Sequence, residues 1–194
     1  MTINAETKAR RDSDAALLQR YVAGDEAAAR LLTHALAPRV YAHAARMLGN
    51  AAEAEDVTQE AMMRLWKKAP DWDGAQAQAS TWLYRVTANL CTDRLRRNRD
   101  TGAEMPDLAD PAPGPEALLQ DAARHDALQA ALDRLPARQR QAVILRHLSG
   151  LGNAQIAEIL EMRVEAVESL TARGKKALSA LLAGQREELG FSDE

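Results

Sequence analysis

Cysteine is almost missing from this chain. Its 194 residues include one, Cys91, which rules out an internal disulfide and a cysteine-based zinc site, and a single helical Cys reads as a small buried hydrophobe. Aromatic residues are also scarce at 4%, and β-branched runs are few, so little here favours strands. Ala, Leu, Glu, Arg and Gln dominate instead, which predicts an all-α protein. Long apolar runs are lacking too. The stretch from Leu31 to Pro38 falls far short of the ~18 residues that cross a bilayer, and the polar Met1 to Asp14 has no signal-peptide core. A cytoplasmic chain without membrane insertion is expected. The four histidines, His34, His43, His125 and His147, show no metal-ligand spacing, and no nucleophile motif or phosphate loop accompanies them. Neither catalytic residues, nor a metal, nor a cofactor is therefore expected, and the chain does not read as an enzyme.

Proline is also sparse, but it is concentrated. Four of the seven prolines, Pro106, Pro111, Pro113 and Pro115, lie between Asn98 and Asp121, together with Gly102 and Gly114 and little apolar periodicity. This composition predicts a flexible linker over 100–120 between two small helical domains at 12–99 and 121–183. Twenty-one residues reach about 70 Å when extended, so the two domains are expected to move independently in the free chain.

The net charge of -3 argues weakly against nucleic acid, but its distribution argues for it. From Ser80 to Arg99, five arginines (Arg85, Arg94, Arg96, Arg97 and Arg99) face one acid, Asp93. From Asp100 to Glu116 there are five acids and no Lys or Arg. Segregation of this kind is expected when one segment meets DNA and another avoids it.

In the C-terminal half, Asn153 can cap a short helix carrying Ile156, Ala157 and Leu160 on one face. A three-residue break follows, then a longer helix from about Val164. Val164, Val167, Thr171, Leu178 and Leu182 form its inner stripe, and Glu165, Ser169, Ala172, Arg173 and Lys176 point outward. This is a helix-turn-helix pattern, with a basic end at Arg173, Lys175 and Lys176 suited to phosphates. In the N-terminal half, Ser80-Thr81 can cap a helix to about Arg97. Leu83, Val86 and Leu90 share one side, and Trp82, Arg85, Asn89, Thr92 and Arg96 the other. Guanidinium groups for phosphates, an amide for a base edge and an indole for stacking are the groups that hold single-stranded DNA. The preceding helix, expected over 53–68, buries Ala54, Val57, Ala61 and Leu65 and displays Asp56, Gln59, Glu60 and Met63, a face suited to a protein partner.

These segments are recognisable. Glu55-Asp56-Val57-Thr58-Gln59-Glu60-Ala61-Met62-Met63-Arg64-Leu65-Trp66 resembles the polymerase-binding helix of sigma-70-type factors. Ser80-Thr81-Trp82-Leu83-Tyr84-Arg85-Val86-Thr87-Ala88-Asn89 resembles the helix by which the extracytoplasmic-function (ECF) group reads the −10 element. Leu135-Pro136-Ala137-Arg138-Gln139-Arg140, followed by Ile156-Ala157-Glu158-Ile159-Leu160, is similar to that group's C-terminal domain. The resemblance implies that residues 12–99 are sigma region 2, docking on the clamp helices of the largest subunit of core RNA polymerase through Asp56, Gln59, Glu60 and Met63. It further implies −10 contacts from Trp82, Arg85, Asn89, Thr92, Arg96 and Arg97. Residues 121–183 would be region 4, on the flap of the second-largest subunit, reading the −35 element of promoter DNA with Glu165, Glu168, Ser169, Arg173, Lys175 and Lys176. The acidic linker would thread the polymerase's RNA path, and an anti-sigma factor would control the whole. Glu161, Glu168 and Leu170 depart from the family's pattern, which often has Gly, a basic residue and Arg at those places. The competing reading is a helix-turn-helix regulator that binds duplex DNA as a dimer.

Overall fold

The computed structural model describes residues 14–72, 78–101 and 116–183, and every regular element among them is helical. Helix α1 covers residues 14–22 and gives way at Gly24 and Asp25. Asp25 caps α2 (Glu26–Leu48), its Oδ1 accepting from the Ala27 and Ala28 N–H groups at 2.9 and 3.3 Å. Gly49, at φ 64°, closes that helix, the left-handed ending that glycine takes without a Cβ penalty. Asn50 then caps α3 (Ala51–Lys68) by accepting from the Glu53 N–H at 2.9 Å, so this helix begins two residues before the expected Glu53. Helix α4 (Ala79–Thr101) starts one residue before Ser80-Thr81, which therefore lie in its first turn rather than capping it, and it runs four residues past Arg97.

The C-terminal half comprises α5 (Glu116–Asp133), α6 (Ala137–Val143), a π-helical segment over Ile144–Leu148, α7 (Asn153–Leu160) and α8 (Val164–Leu182). Residues 102–115, most of the expected linker, lie outside the described residues, and the helices on either side shorten it at both ends. Gly152 rather than Asn153 is the cap position of α7, with its N–H donating to Gln155 Oε1 at 3.2 Å. The π-helical segment, marked by the Ser149 N–H reaching back to Ile144 O at 2.9 Å, leaves Ile144 and Leu145 in different apolar clusters.

The N-terminal core buries the stripe expected of α3 and, on α4, Leu83 and Leu90, with Val86 only partly covered. Leu32, Leu36, Val40, Ala44 and Met47 of α2 meet Ala54, Val57, Ala61 and Leu65 of α3 and Leu83, Leu90 and Cys91 of α4. Each fully buried leucine contributes about 1.5–3 kcal/mol. Cys91 is the small buried hydrophobe expected, its thiol pushed up to about 12 mainly by burial.

The two halves, expected to move independently, are packed together in this structure. Leu132, Leu135, Val143 and Ile144 from the C-terminal half join the N-terminal core. Tyr84 and Ala88 of α4 are buried in a second cluster with Leu145, Ile156, Ala157, Ile159 and Val167. Polar contacts hold the same seam. Arg140 donates to Met47 O at 2.8 Å and Gln129 to Arg46 O at 3.2 Å, satisfying carbonyls at the end of α2 that have no partner within the helix. Linker length sets how far two domains can separate. Whether they do depends on the apolar faces they share, and α4 has one on each side.

Candidate nucleic-acid and polymerase interface

The face displayed by α3 is where the sequence put it. Asp56, Gln59 and Met63 are exposed, Met63 at 63%, while Glu60 is partly covered. Two of its acids are already engaged. Asp56 accepts from Arg94 of α4 at 3.3 and 3.4 Å, and Glu60 is paired with Arg64 one turn on. The Arg94 contact was missed, because no local pattern links residues 38 positions apart. It ties the exposed face of α3 to the basic helix α4.

On α4, Asn89, Thr92, Arg96 and Arg97 are exposed along one stripe. Thr92 spends its hydroxyl proton on Ala88 O at 2.8 Å, leaving oxygen lone pairs to accept. Arg96 rests on Asp93 at 3.3 Å, an exposed pair easily exchanged for phosphate. The other two residues assigned to this stripe are placed differently. Trp82 is half-buried and meets Trp72 edge-on, with ring centroids 5.8 Å apart. Arg85 reaches across the seam to Glu161 at 3.2 Å. The helix is also buried on a second side through Tyr84, Thr87 and Ala88, which the projection onto one apolar face did not anticipate.

In the C-terminal half, α7, the turn at Glu161 to Arg163 and α8 form the expected helix-turn-helix. Glu165, Glu168, Ser169, Arg173, Lys175 and Lys176 are all exposed. Glu168 accepts from Asn153 Nδ2 at 3.2 Å, tying α8 to the start of α7. Of the predicted inner stripe, Val167 is buried and Thr171, Leu178 and Leu182 are partly buried, but Val164 is 37% exposed because it opens the helix at its rim. The buried position that periodicity overlooked is Gly174. A Cβ there would stand 2.6 Å from Val143 Cγ2, so the close approach of α6 and α8 requires glycine.

The basic end of α8 has company. His147 is held below its usual pKa first by burial and then by the cations Lys175 and Arg146. Among the described residues, no group of three or more His, Cys, Asp or Glu is placed to hold a metal, and no helix is long and apolar enough to cross a membrane.

Two helical units, one a helix-turn-helix, each with an exposed basic or amide-bearing helix, define a DNA-binding architecture. The chain matches the family model of sigma-70 region 2 over residues 32–101 and that of sigma-70 region 4 over residues 125–178. It is 36% identical over 161 residues to the ECF RNA polymerase sigma factor SigE of Mycolicibacterium smegmatis, covering 80% of this chain and 62% of that one. It is 31% identical over 152 residues to SigW of Bacillus subtilis (72% and 81% covered), and 32% identical over 170 residues to SigM of Mycobacterium tuberculosis (88% and 85%). Among solved structures, CnrH in complex with the cytosolic domain of CnrY shares the fold with a TM-score of 0.67, at 24% identity over 89% of this chain and 98% of that one. The sigma factor RpoE in complex with the anti-sigma factor NepR from Bartonella quintana does so with 0.65, at 23% identity over 79% and 96%. This chain belongs to the sigma-70 family, in the group of ECF RNA polymerase sigma factors. Membership of both halves in one family displaces the dimeric-regulator reading, which accounted only for the second half.

Proposed function

We propose that this chain is a promoter-specificity subunit rather than an enzyme, acting in the cytoplasm on core RNA polymerase. Region 2 lies in the half that ends with α4 and region 4 in the half that begins with α5, joined by the acidic stretch 102–115. Asp56, Gln59, Glu60 and Met63 dock on the clamp helices of the largest subunit, and region 4 docks on the flap of the second-largest. Asn89, Thr92, Arg96 and Arg97, with Trp82 and Arg85 once they are released, hold the −10 strand. Glu165, Glu168, Ser169, Arg173, Lys175 and Lys176 face the −35 duplex. An anti-sigma factor keeps the chain off the polymerase by covering the docking face.

The observation that carries this reading is the exposed row on α4, where an amide, a hydroxyl and a guanidinium group (Asn89, Thr92 and Arg96) recur at helical spacing beside a separate exposed basic helix. Phosphate contacts give affinity and base contacts give sequence, so the two kinds of residue must behave differently. Asn89→Ala relaxes preference at one −10 position, lowering discrimination by about 1–3 kcal/mol. Arg96→Ala weakens all promoters alike and lowers the salt slope by about one. The measurement is binding of reconstituted holoenzyme to duplex and pre-melted promoters across a salt series. Identical behaviour of the two variants on both templates would place the DNA-reading surface elsewhere.

A further inference from the structure

The second helix of the helix-turn-helix opens on carboxylates. Glu165 and Glu168 lie exposed in the first two turns of α8, where such a helix presents side chains to base edges, and its first basic residue is Arg173. Beside the phosphates of a duplex an acid is repelled, unless a base offers it a hydrogen. Helix stability accounts for Glu165, an acid in the first turn. It does not account for the way Glu168 is held. Its Oε1 accepts from Asn153 Nδ2 at 3.2 Å, so an amide at the start of α7 orients the carboxylate. That bond uses one of the roughly four lone-pair sites of the group and leaves the others to accept again.

The neighbours of Glu168 suit a close approach to bases. Ala172 stands exposed one turn further on, and a methyl group there keeps the helix from being held off the groove floor. Lys175 and Lys176 follow, exposed, as partners for phosphates.

In the major groove a carboxylate can only accept. Guanine presents N7 and O6 and thymine presents O4, all acceptors, so each repels it. Adenine places its N6 amino group beside the N7 acceptor, a pair that suits an amide and not a carboxylate. Cytosine shows only the N4 amino donor. We infer that Glu168 reads a cytosine in the −35 element, with Asn153 as the residue that positions its carboxylate. The inference rests on α8 being the −35 reader, as proposed above. A basic side chain at this place would favour guanine instead.

The test uses reconstituted holoenzyme and a library of random duplexes, from which bound DNA is selected and sequenced. The wild-type chain should enrich an upstream element in which one position is cytosine. Glu168→Gln keeps the size and can still accept from Asn153, and it should move that one position to adenine, the base that an amide pairs with. Glu168→Ala should leave the position without preference. In a selected promoter, replacing that cytosine by thymine should weaken wild-type binding about tenfold and leave Glu168→Ala binding unchanged. Asn153→Asp turns the donor into a second acid. It should blur the preference at that position while the −10 element stays the same, a pattern that a folding defect would not give. Selection of one and the same base by wild type, Glu168→Gln and Glu168→Ala overturns the inference, as does a shifted position whose wild-type base is not cytosine. If the Glu168 variants change nothing but Ser169→Ala or Arg173→Ala alters the upstream element, the inference fails and the −35 assignment stands. If no α8 variant alters it, the −35 assignment fails as well.

Discussion

Arg140 is the cation on which the packing of the two halves turns, and its removal has a calculable signature. Its side chain is 6% exposed; Nη1 donates to Asp133 Oδ1 and to Met47 O, both at 2.8 Å, and Nη2 to the Asp133 carbonyl. Arg140→Leu keeps an apolar stem but leaves the Asp133 carboxylate with only the Gln129 amide, 3.1 Å away, and strands a carbonyl at the end of α2. Losing one partner of a fully enclosed pair costs about 3–5 kcal/mol. Asp133 is 19% exposed, so water recovers part of this, and about 2–3 kcal/mol is expected at neutral pH. That is a large share of a total of about 5–15 kcal/mol, and it corresponds to a urea midpoint lower by about 1 M.

The loss must also depend on pH. Burial raises the Asp133 carboxyl above its ordinary 3.8, and Arg140 pulls it back down. A raised folded-state value means that Asp133 opposes folding progressively as pH climbs from 3.8 through that value. Without Arg140 the value rises further. The deficit of Arg140→Leu is therefore full near neutrality and shrinks as acid protonates Asp133. Urea unfolding followed by circular dichroism, at about pH 7 and about pH 4.5, measures it. His43 titrates in both proteins and cancels in the difference. An equal deficit at both pH values, or one that survives unchanged in an Asp133→Asn background, would refute the reasoning.

Gly174→Ala should destabilise by about 1–2 kcal/mol even though alanine favours helix, because its methyl meets Val143 and the Gln139 carbonyl, and its loss and that of Val143→Ala should combine less than additively in thermal melts of the double variant. His43 is buried with neither ring nitrogen hydrogen-bonded, edge-on to Tyr84, and burial pulls its pKa from 6.5 down to about 4. The unfolded chain then binds the extra proton between those values, so stability present above 6.5 is lost as pH falls towards 4, by up to about 3 kcal/mol. His43→Leu should remove that slope from the difference between pH 7 and pH 4.5 urea titrations. Asp56→Ala combined with Gln59→Ala should weaken core polymerase binding by about 2 kcal/mol, roughly thirtyfold, with the circular dichroism spectrum unchanged. Undiminished affinity would remove α3 from the docking surface.

The sequence alone determined the local features. The three-residue break after Leu160 follows from the lapse in apolar periodicity, whereas the caps expected at Ser80-Thr81 and Asn153 fall inside the first turns of α4 and α7. The buried stripe of α3 and the outward residues of α8 follow from a period of 3.6, and the motifs at Glu55–Trp66 and Ser80–Asn89 carried the family. What only the tertiary structure decided is everything that joins residues far apart in the chain. The stripe on α4 was read as one face, yet the fold divides it: Asn89, Thr92 and Arg96 remain open, Trp82 leans on Trp72, and Arg85 is held by Glu161. Periodicity shows which residues share a side of a helix but not which neighbour covers that side. Nor does it show that a proline-rich linker joins halves with complementary apolar faces, because complementarity belongs to two surfaces at once, and each segment of sequence describes only one.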